Sequence, residues 1–274
     1  DFASARPQGG YQPMFESLWN DCAAAAVQIR LSTAVSRISW RPGAVEVHAR
    51  GSQEQQTIFA RAALVTLPVG VLRHHADETA VVFEPTLPPT KRAALELMEM
   101  GHVARVTLWF RTAFWERIRD GRYRDASFFR CEGQVFPTYW TQFPVRSELI
   151  VAWAGGPRAT ALGNDPPDTL IERALGGFGA LFGEPELARD QFEAGVTHDW
   201  SRDPFARGAY SYIKVGGGNA RAALAAQVDD TLFFAGEATS DDGQGGTVNG
   251  ALQTGERAAR EVATALGAKV VIDG

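Results

Sequence analysis

Two cysteines, Cys22 and Cys131, are all that occur in 274 residues. They stand far apart and in no metal-like spacing, so no disulfide framework is expected and a reducing compartment suits the chain. Lysine is almost as scarce: the sequence holds Lys91, Lys214 and Lys269, and the remaining positive charge is arginine. The net charge of −5 leaves no basic surplus, so nucleic acid is not an expected partner. No apolar run approaches the roughly 18 residues of a membrane-spanning helix, so no membrane partner is expected. The histidines His48, His74, His75, His102 and His198 show no H-x-x-x-H spacing, and no metal is expected. The absence of G-x-S-x-G removes the nucleophile of an α/β-hydrolase. A G-x-G-x-x-G loop is also missing. The nearest stretch, Gly216-Gly-Gly-Asn219, puts Arg221 where the third glycine belongs and reads as a loop. The sequence opens on Asp1 without a signal peptide. A processed start or a piece of a longer chain is therefore expected, with a cytoplasmic location.

The length allows one large core or two smaller ones. Hydrophobic spacing predicts a helix over Pro13–Ala26, with Met14, Phe15, Leu18, Trp19 and Cys22 on one face. Val27–Leu31 reads as a short strand. Ala34–Trp40, Ala44–Arg50 and Gln56–Ala60 alternate as strands, separated by turns at Arg41-Pro-Gly43 and Gly51-Ser52. Ala62–Leu67 is a continuous apolar run, as in a strand buried on both faces, and stops at Pro68. A helix is predicted over Thr90–Met100 and another over Asp168–Phe182. Strands are predicted over Val103–Phe110, Ser127–Phe143, Leu149–Ala154 and Tyr210–Val215. The order combines α/β with an antiparallel α+β portion.

Chemistry concentrates near the end of the chain. Leu232-Phe-Phe-Ala-Gly-Glu237 reads as a buried strand with one carboxylate at its turn. Gly246-Thr-Val-Asn-Gly-Ala251 then opens a helix whose expected stripe is Val248, Ala251, Leu252, Gly255, Ala258, Ala259, Val262 and Leu266. Strand ends that feed helix N-termini are where α/β proteins hold ligands, and small residues permit close approach. The same stripe suits a close-packed structural helix equally well. A buried carboxylate at Glu237 requires hydrogen-bond partners, from a ligand hydroxyl or from the next turn. Trp200, Phe205 and Tyr210 either line a flat pocket or form core aromatics around a turn.

These residues resemble the flavin-dependent amine oxidases, the family of polyamine oxidases, monoamine oxidases and lysine-specific histone demethylases. Gly9-Gly-Tyr11 is similar to the family's GG segment, and Thr66-Leu-Pro-Val-Gly-Val-Leu72 to its TLPLGVL. Phe83-Glu-Pro-Thr-Leu-Pro-Pro89, Asp199–Tyr212 and Leu232–Ala251 resemble further family segments in the family's order. The resemblance implies an incomplete, Rossmann-like FAD-binding domain over 1–102 and 216–268. It implies an inserted substrate domain over 103–215, on a mixed, largely antiparallel sheet. Cofactor contacts would fall to Val35, Thr66, Leu67, Pro68, Trp200, Phe205, Tyr210, Gly236, Glu237, Thr247, Val248 and Ala251. Tyr210 would also wall the amine site. Arg105 stands where the family usually carries a catalytic lysine, Asn249 where a histidine is frequent, and Ala209 where a serine is.

The implied reaction is FAD-dependent oxidation of a small-molecule amine, polyamines first, to an imine with release of hydrogen peroxide. Asp241 and Asp242 would attract a polycation or serve as solvated loop charges. An amino-acid oxidase is the neighbouring alternative, with Arg105 or Arg130 holding a carboxylate. A non-catalytic fragment or interaction subunit is the third. The missing glycine loop implies that this chain alone binds FAD weakly or not at all, unless a second chain supplies that segment.

Overall fold

The computed structural model describes residue 7 and residues 9–51 and 54–268. Ser52 of the expected second turn lies outside the described residues. A helix over Gln12–Ala24 precedes an antiparallel meander of β1 (Ala34–Arg41), β2 (Ala44–Arg50) and β3 (Gln55–Ala60). β4 (Ala63–Val65) follows. β5 (Val82–Glu84) then joins β1 in parallel, giving the order β3-β2-β1-β5. β6 (Met98–Met100) leads into β7 (Val103–Phe110). With β8 (Phe128–Arg130), β9 (Thr138–Trp140), β10 (Leu149–Gly155) and β11 (Phe192–Thr197), β7 builds an antiparallel sheet ordered β11-β7-β10-β9-β8. β12 (Ser211–Ile213) pairs antiparallel with β6, and β13 (Leu232–Phe234) pairs in parallel with β4.

Buried side chains gather in two clusters. One joins Ile38, Val69, Met98, Leu224 and Phe234, drawing on both ends of the chain. The other holds Val106, Phe110, Trp115, Tyr139, Ile150 and Phe178 from the middle. In the second cluster the helix Pro167–Phe182 lays Phe178 and Phe182 edge-on against Phe114. Edge-to-face ring pairs add to the stabilisation from burial.

Several elements depart from the sequence reading. Val27–Leu31 pairs with no strand among the described residues, and Val27, Ile29 and Leu31 stay exposed. The strand at 62–67 shortens to β4 and has one open face, because Leu64 is 40% exposed. The helix after Pro88 ends at Glu96, because Met98–Met100 exchanges its backbone bonds with β12 instead. The strand expected over 127–143 is a pair of short strands, β8 and β9, with a loop between them. The Gln12–Ala24 helix forms as predicted, yet Phe15, Leu18 and Trp19 on its apolar face are exposed. On the final helix, Val248–Ala265, the buried ridge is Gly250, Thr254 and Ala258, one turn apart, and Leu252 points outward.

Candidate functional site

β4 and β13 run side by side in the same direction, so their C-terminal ends open at the same place. Beyond β4 the chain reads Thr66-Leu67-Pro68, and proline ends the ladder because it has no N–H to give. Beyond β13 it reads Ala235-Gly236-Glu237. Gly236 takes φ +116, a conformation L side chains rarely adopt, and so turns the chain off the strand. Thr254 of the final helix fixes this turn. Its hydroxyl oxygen accepts the Gly236 N–H at 3.0 Å and lies 3.1 Å from the Gly236 carbonyl.

The two motif segments interlock around that corner. Gly70 of Thr66–Leu72 packs onto the 206–208 backbone, where an added Cβ would stand 2.7 Å from the Arg207 carbonyl. Arg207 itself is in the left-handed region, φ +55, and its guanidinium bonds the Thr79 hydroxyl near Asp77. The Thr79 hydroxyl, then His74, hold the Asp77 carboxyl well below its ordinary range. Asp203 in the same loop is also held low, chiefly by the Phe205 N–H and further by His198.

A cavity of about 340 Å³ lies at this junction. Thr66, Leu67, Pro68, Tyr210, Gly236, Glu237 and Ala251 line it, so it gathers residues from four separate segments of the sequence. Its walls are otherwise mostly apolar, including Val65, Met100, Leu224 and Phe234. Tyr210 also borders an open cleft of about 760 Å³ whose far side is Trp153. Gly246 abuts the Tyr210 ring, and a Cβ there would fall 2.8 Å from it.

Glu237 is fully engaged by protein groups. It accepts the Ser211 N–H at 2.9 Å, the Ser211 hydroxyl at 2.7 Å and the Gly246 N–H at 2.7 Å. Arg221 pairs with it at 3.6 Å, and donates to the Glu237 carbonyl at 2.9 Å and the Ser211 carbonyl at 3.2 Å. One carboxylate thus ties together β12, the loop before the final helix and the short helix Ala220–Ala225. Charge-assisted bonds of this kind are the strong ones.

The other expected site residues lie elsewhere. Val35 sits on β1 against the first core cluster. Thr247 caps the final helix, accepting the Gly250 N–H at 3.0 Å, with Val248 half-buried beside it. Trp200 and Phe205 are exposed, which rules out the core-aromatic reading. Trp200 lies edge-on to His198 at 4.4 Å. Arg105 is on the exposed face of β7, opposite Trp153 of β10 and outside the cavity. Asp242 accepts the Ser240 hydroxyl at 2.6 Å and the Gln244 N–H at 3.2 Å, so it braces its own loop. No group of His, Cys, Asp and Glu among the described residues is placed to hold a metal. No described helix is long and apolar enough to cross a membrane.

Ser211, Arg221 and Thr254 escaped the sequence reading. Arg221 had a visible signal: it is the residue that breaks the glycine fingerprint, and it is the second residue of the short helix that follows Asn219.

The cavity suits a flat, largely apolar ring with a polar edge. The final helix contributes the small side chain of Ala251 to its wall. The family model for flavin containing amine oxidoreductases matches residues 3–263. Lysine-specific histone demethylase 1 homolog 3 of Arabidopsis thaliana is 31% identical over 262 residues, covering 92% of this chain and 15% of that protein. Lysine-specific histone demethylase 2 of Homo sapiens is 27% identical over 262 residues, covering 93% of this chain and 30% of that one. Among solved structures, a putrescine oxidase mutant superposes with a TM-score of 0.75 at 19% identity, covering 93% of this chain and 53% of its own. Cyclohexylamine oxidase from Brevibacterium oxydans gives 0.72 at 20% identity, covering 92% and 52%. These structures share the mixed α/β fold, and this chain spans about half their length. With nearly its whole length matched by the family model, the chain belongs to the flavin containing amine oxidoreductases.

Proposed function

We propose that this chain carries the ring-facing half of an FAD-dependent amine oxidase site. The observation that supports it most is the convergence of Thr66–Pro68, Tyr210, Gly236–Glu237 and Ala251 on one apolar cavity at parallel strand ends. When bound, the flavin supplies a two-electron acceptor that takes a hydride equivalent from the amine's α-carbon and returns the electrons to oxygen as hydrogen peroxide.

The chain's own residues orient and desolvate. Leu67, Pro68 and Ala251 would pack on the ring, and the apolar walls exclude water. Tyr210 would offer its face to the amine. Glu237 is occupied by Ser211, Gly246 and Arg221, so among the described lining residues it is not placed to accept the amine's proton. In this reading a neutral amine places its α C–H over the ring.

The division into an FAD domain over 1–102 and 216–268 and a substrate domain over 103–215 belongs to this proposal. The two separate clusters of buried side chains support it. The segment that holds the pyrophosphate comes from elsewhere in a longer polypeptide or from a second chain. The length of the solved relatives supports this.

Polyamines are the first substrate class, on the sequence resemblance. A carboxylate-bearing amine with an apolar body is the second. Arg105, Trp153, Thr138 and Arg130 form one row across four neighbouring strands of the open sheet face, which favours it.

An absorption spectrum after FAD addition, then peroxide release with spermine, tyramine and amino acids, tests the proposal. With the pyrophosphate-binding segment supplied by a second chain, flavin bands with peroxide from an amine are the expected result. A protein that stays colourless with FAD would favour the non-catalytic reading.

A further inference from the structure

Lys91 is only 2% exposed. A buried ammonium is costly unless other groups replace its water. Here carbonyl oxygens do so. Nζ donates to the Leu224 carbonyl at 2.7 Å, lies 3.4 Å from that of Ala223, and bonds that of Ala226. It also stands 3.7 Å from the centre of the Phe234 ring. These carbonyls form the C-terminal end of the Ala220–Ala225 helix, where intrahelical donors run out and a cation is favoured. Arg257 of the final helix reaches the same end, donating to the Ala225 carbonyl at 3.3 Å and the Phe234 carbonyl at 2.7 Å.

The other end of this six-residue helix carries Arg221, which holds Ser211 and Glu237. A helix this short has no stability of its own. Its position depends on what grips its ends.

We propose that Lys91 is a positioning residue for the cavity: by gathering the C-terminal carbonyls of the Ala220–Ala225 helix against Phe234, its ammonium sets where Arg221 holds Glu237. A neutral amine has one donor fewer and no charge for the carbonyls or the ring. Its helix end loosens, and Arg221 shifts with it. The charged groups that face Lys91 are Arg257 and Glu261, both on the final helix and paired with each other at 3.1 Å. Burial first, then Arg257, bring the Lys91 ammonium from 10.5 down to about 7, while Glu261 opposes them. The proton is therefore exchanged in an accessible range. The effect on cofactor holding rests on the flavin reading above. The coupling from Lys91 to Glu237 does not.

The test is a pH titration followed by NMR, reading the Lys91 side chain and the Gly246 amide, which donates to Glu237. In the wild-type chain both signals move together, with a midpoint of about 7. In Lys91→Met the Gly246 movement over this range disappears, and the Ala226 amide exchanges about tenfold faster. In Arg221→Met the lysine still titrates while Gly246 no longer follows. A Gly246 signal that stays flat while Lys91 titrates in the wild-type chain overturns the proposal, whether or not the variants fold. So does a Gly246 titration unchanged in Lys91→Met. A separate FAD titration, with the pyrophosphate-binding segment supplied by a second chain, keeps the two ideas apart: absence of FAD binding with the coupling intact counts against the flavin reading alone.

Discussion

Glu237 carries more of the site's internal order than any ligand contact would require. Its bonds join Ser211, Gly246 and Arg221, residues from three separate segments of the chain. Glu237→Gln keeps the shape but removes the charge and turns one acceptor into a donor facing N–H groups. The expected cost is about 1–3 kcal/mol, read as a lower urea midpoint with an unchanged slope. Gly70→Ala acts differently, by steric conflict with the Arg207 carbonyl and Cβ. Its expected cost is also about 1–3 kcal/mol. An unaltered melt would show that the two motif segments do not interlock. Glu237 was legible in the sequence because a carboxylate after a buried strand demands partners. Which partners it takes was not legible, since Ser211 and Arg221 are ordinary residues until the chain brings them together.

At the scale of elements, short-range pattern read the long pieces well and the short ones poorly. β1, β2, β7 and the Pro167–Phe182 helix follow from alternation, periodicity and proline placement. The helix after Pro88 was read too long because Met98–Met100 continues its apolar rhythm, and only pairing with β12 draws it off. The stripe on the final helix was right at Ala258 and wrong at Leu252, because glycine and alanine mark both faces. The buried ridge is set by Thr254 meeting Gly236. The Ala220–Ala225 helix gives a pH prediction. Between about 7 and 10.5 the unfolded chain keeps a proton that folded Lys91 has released. The unfolded state then binds more protons, so this group makes stability rise with pH across that window. Urea unfolding of wild type and Lys91→Met, compared inside and below the window, should show the rise only in the wild type. Parallel curves would remove Lys91 as its source.

At the scale of the whole molecule, two apolar faces stand open. Among the described residues, Phe15, Leu18 and Trp19 lie along one face of the first helix, and Trp109 and Val196 stand exposed on the neighbouring strands β7 and β11. Contiguous patches of this kind mark places where other surface belongs. The 274-residue chain should therefore self-associate with concentration in sedimentation and bind a hydrophobic dye. A monodisperse monomer that ignores the dye would mean that these faces do not act as patches. The family was legible from ordered motifs, yet their convergence on one cavity depends on β4 and β13 pairing across most of the chain. The central claim is that this cavity holds the flavin ring. It is tested most directly by titrating flavin into the chain and following quenching of flavin fluorescence, for wild type and for Ala251→Leu, which fills the cavity without a polar change. The account predicts weak but saturable quenching with the wild type that is lost in a folded Ala251→Leu chain. Saturation unchanged by the filled cavity would contradict it.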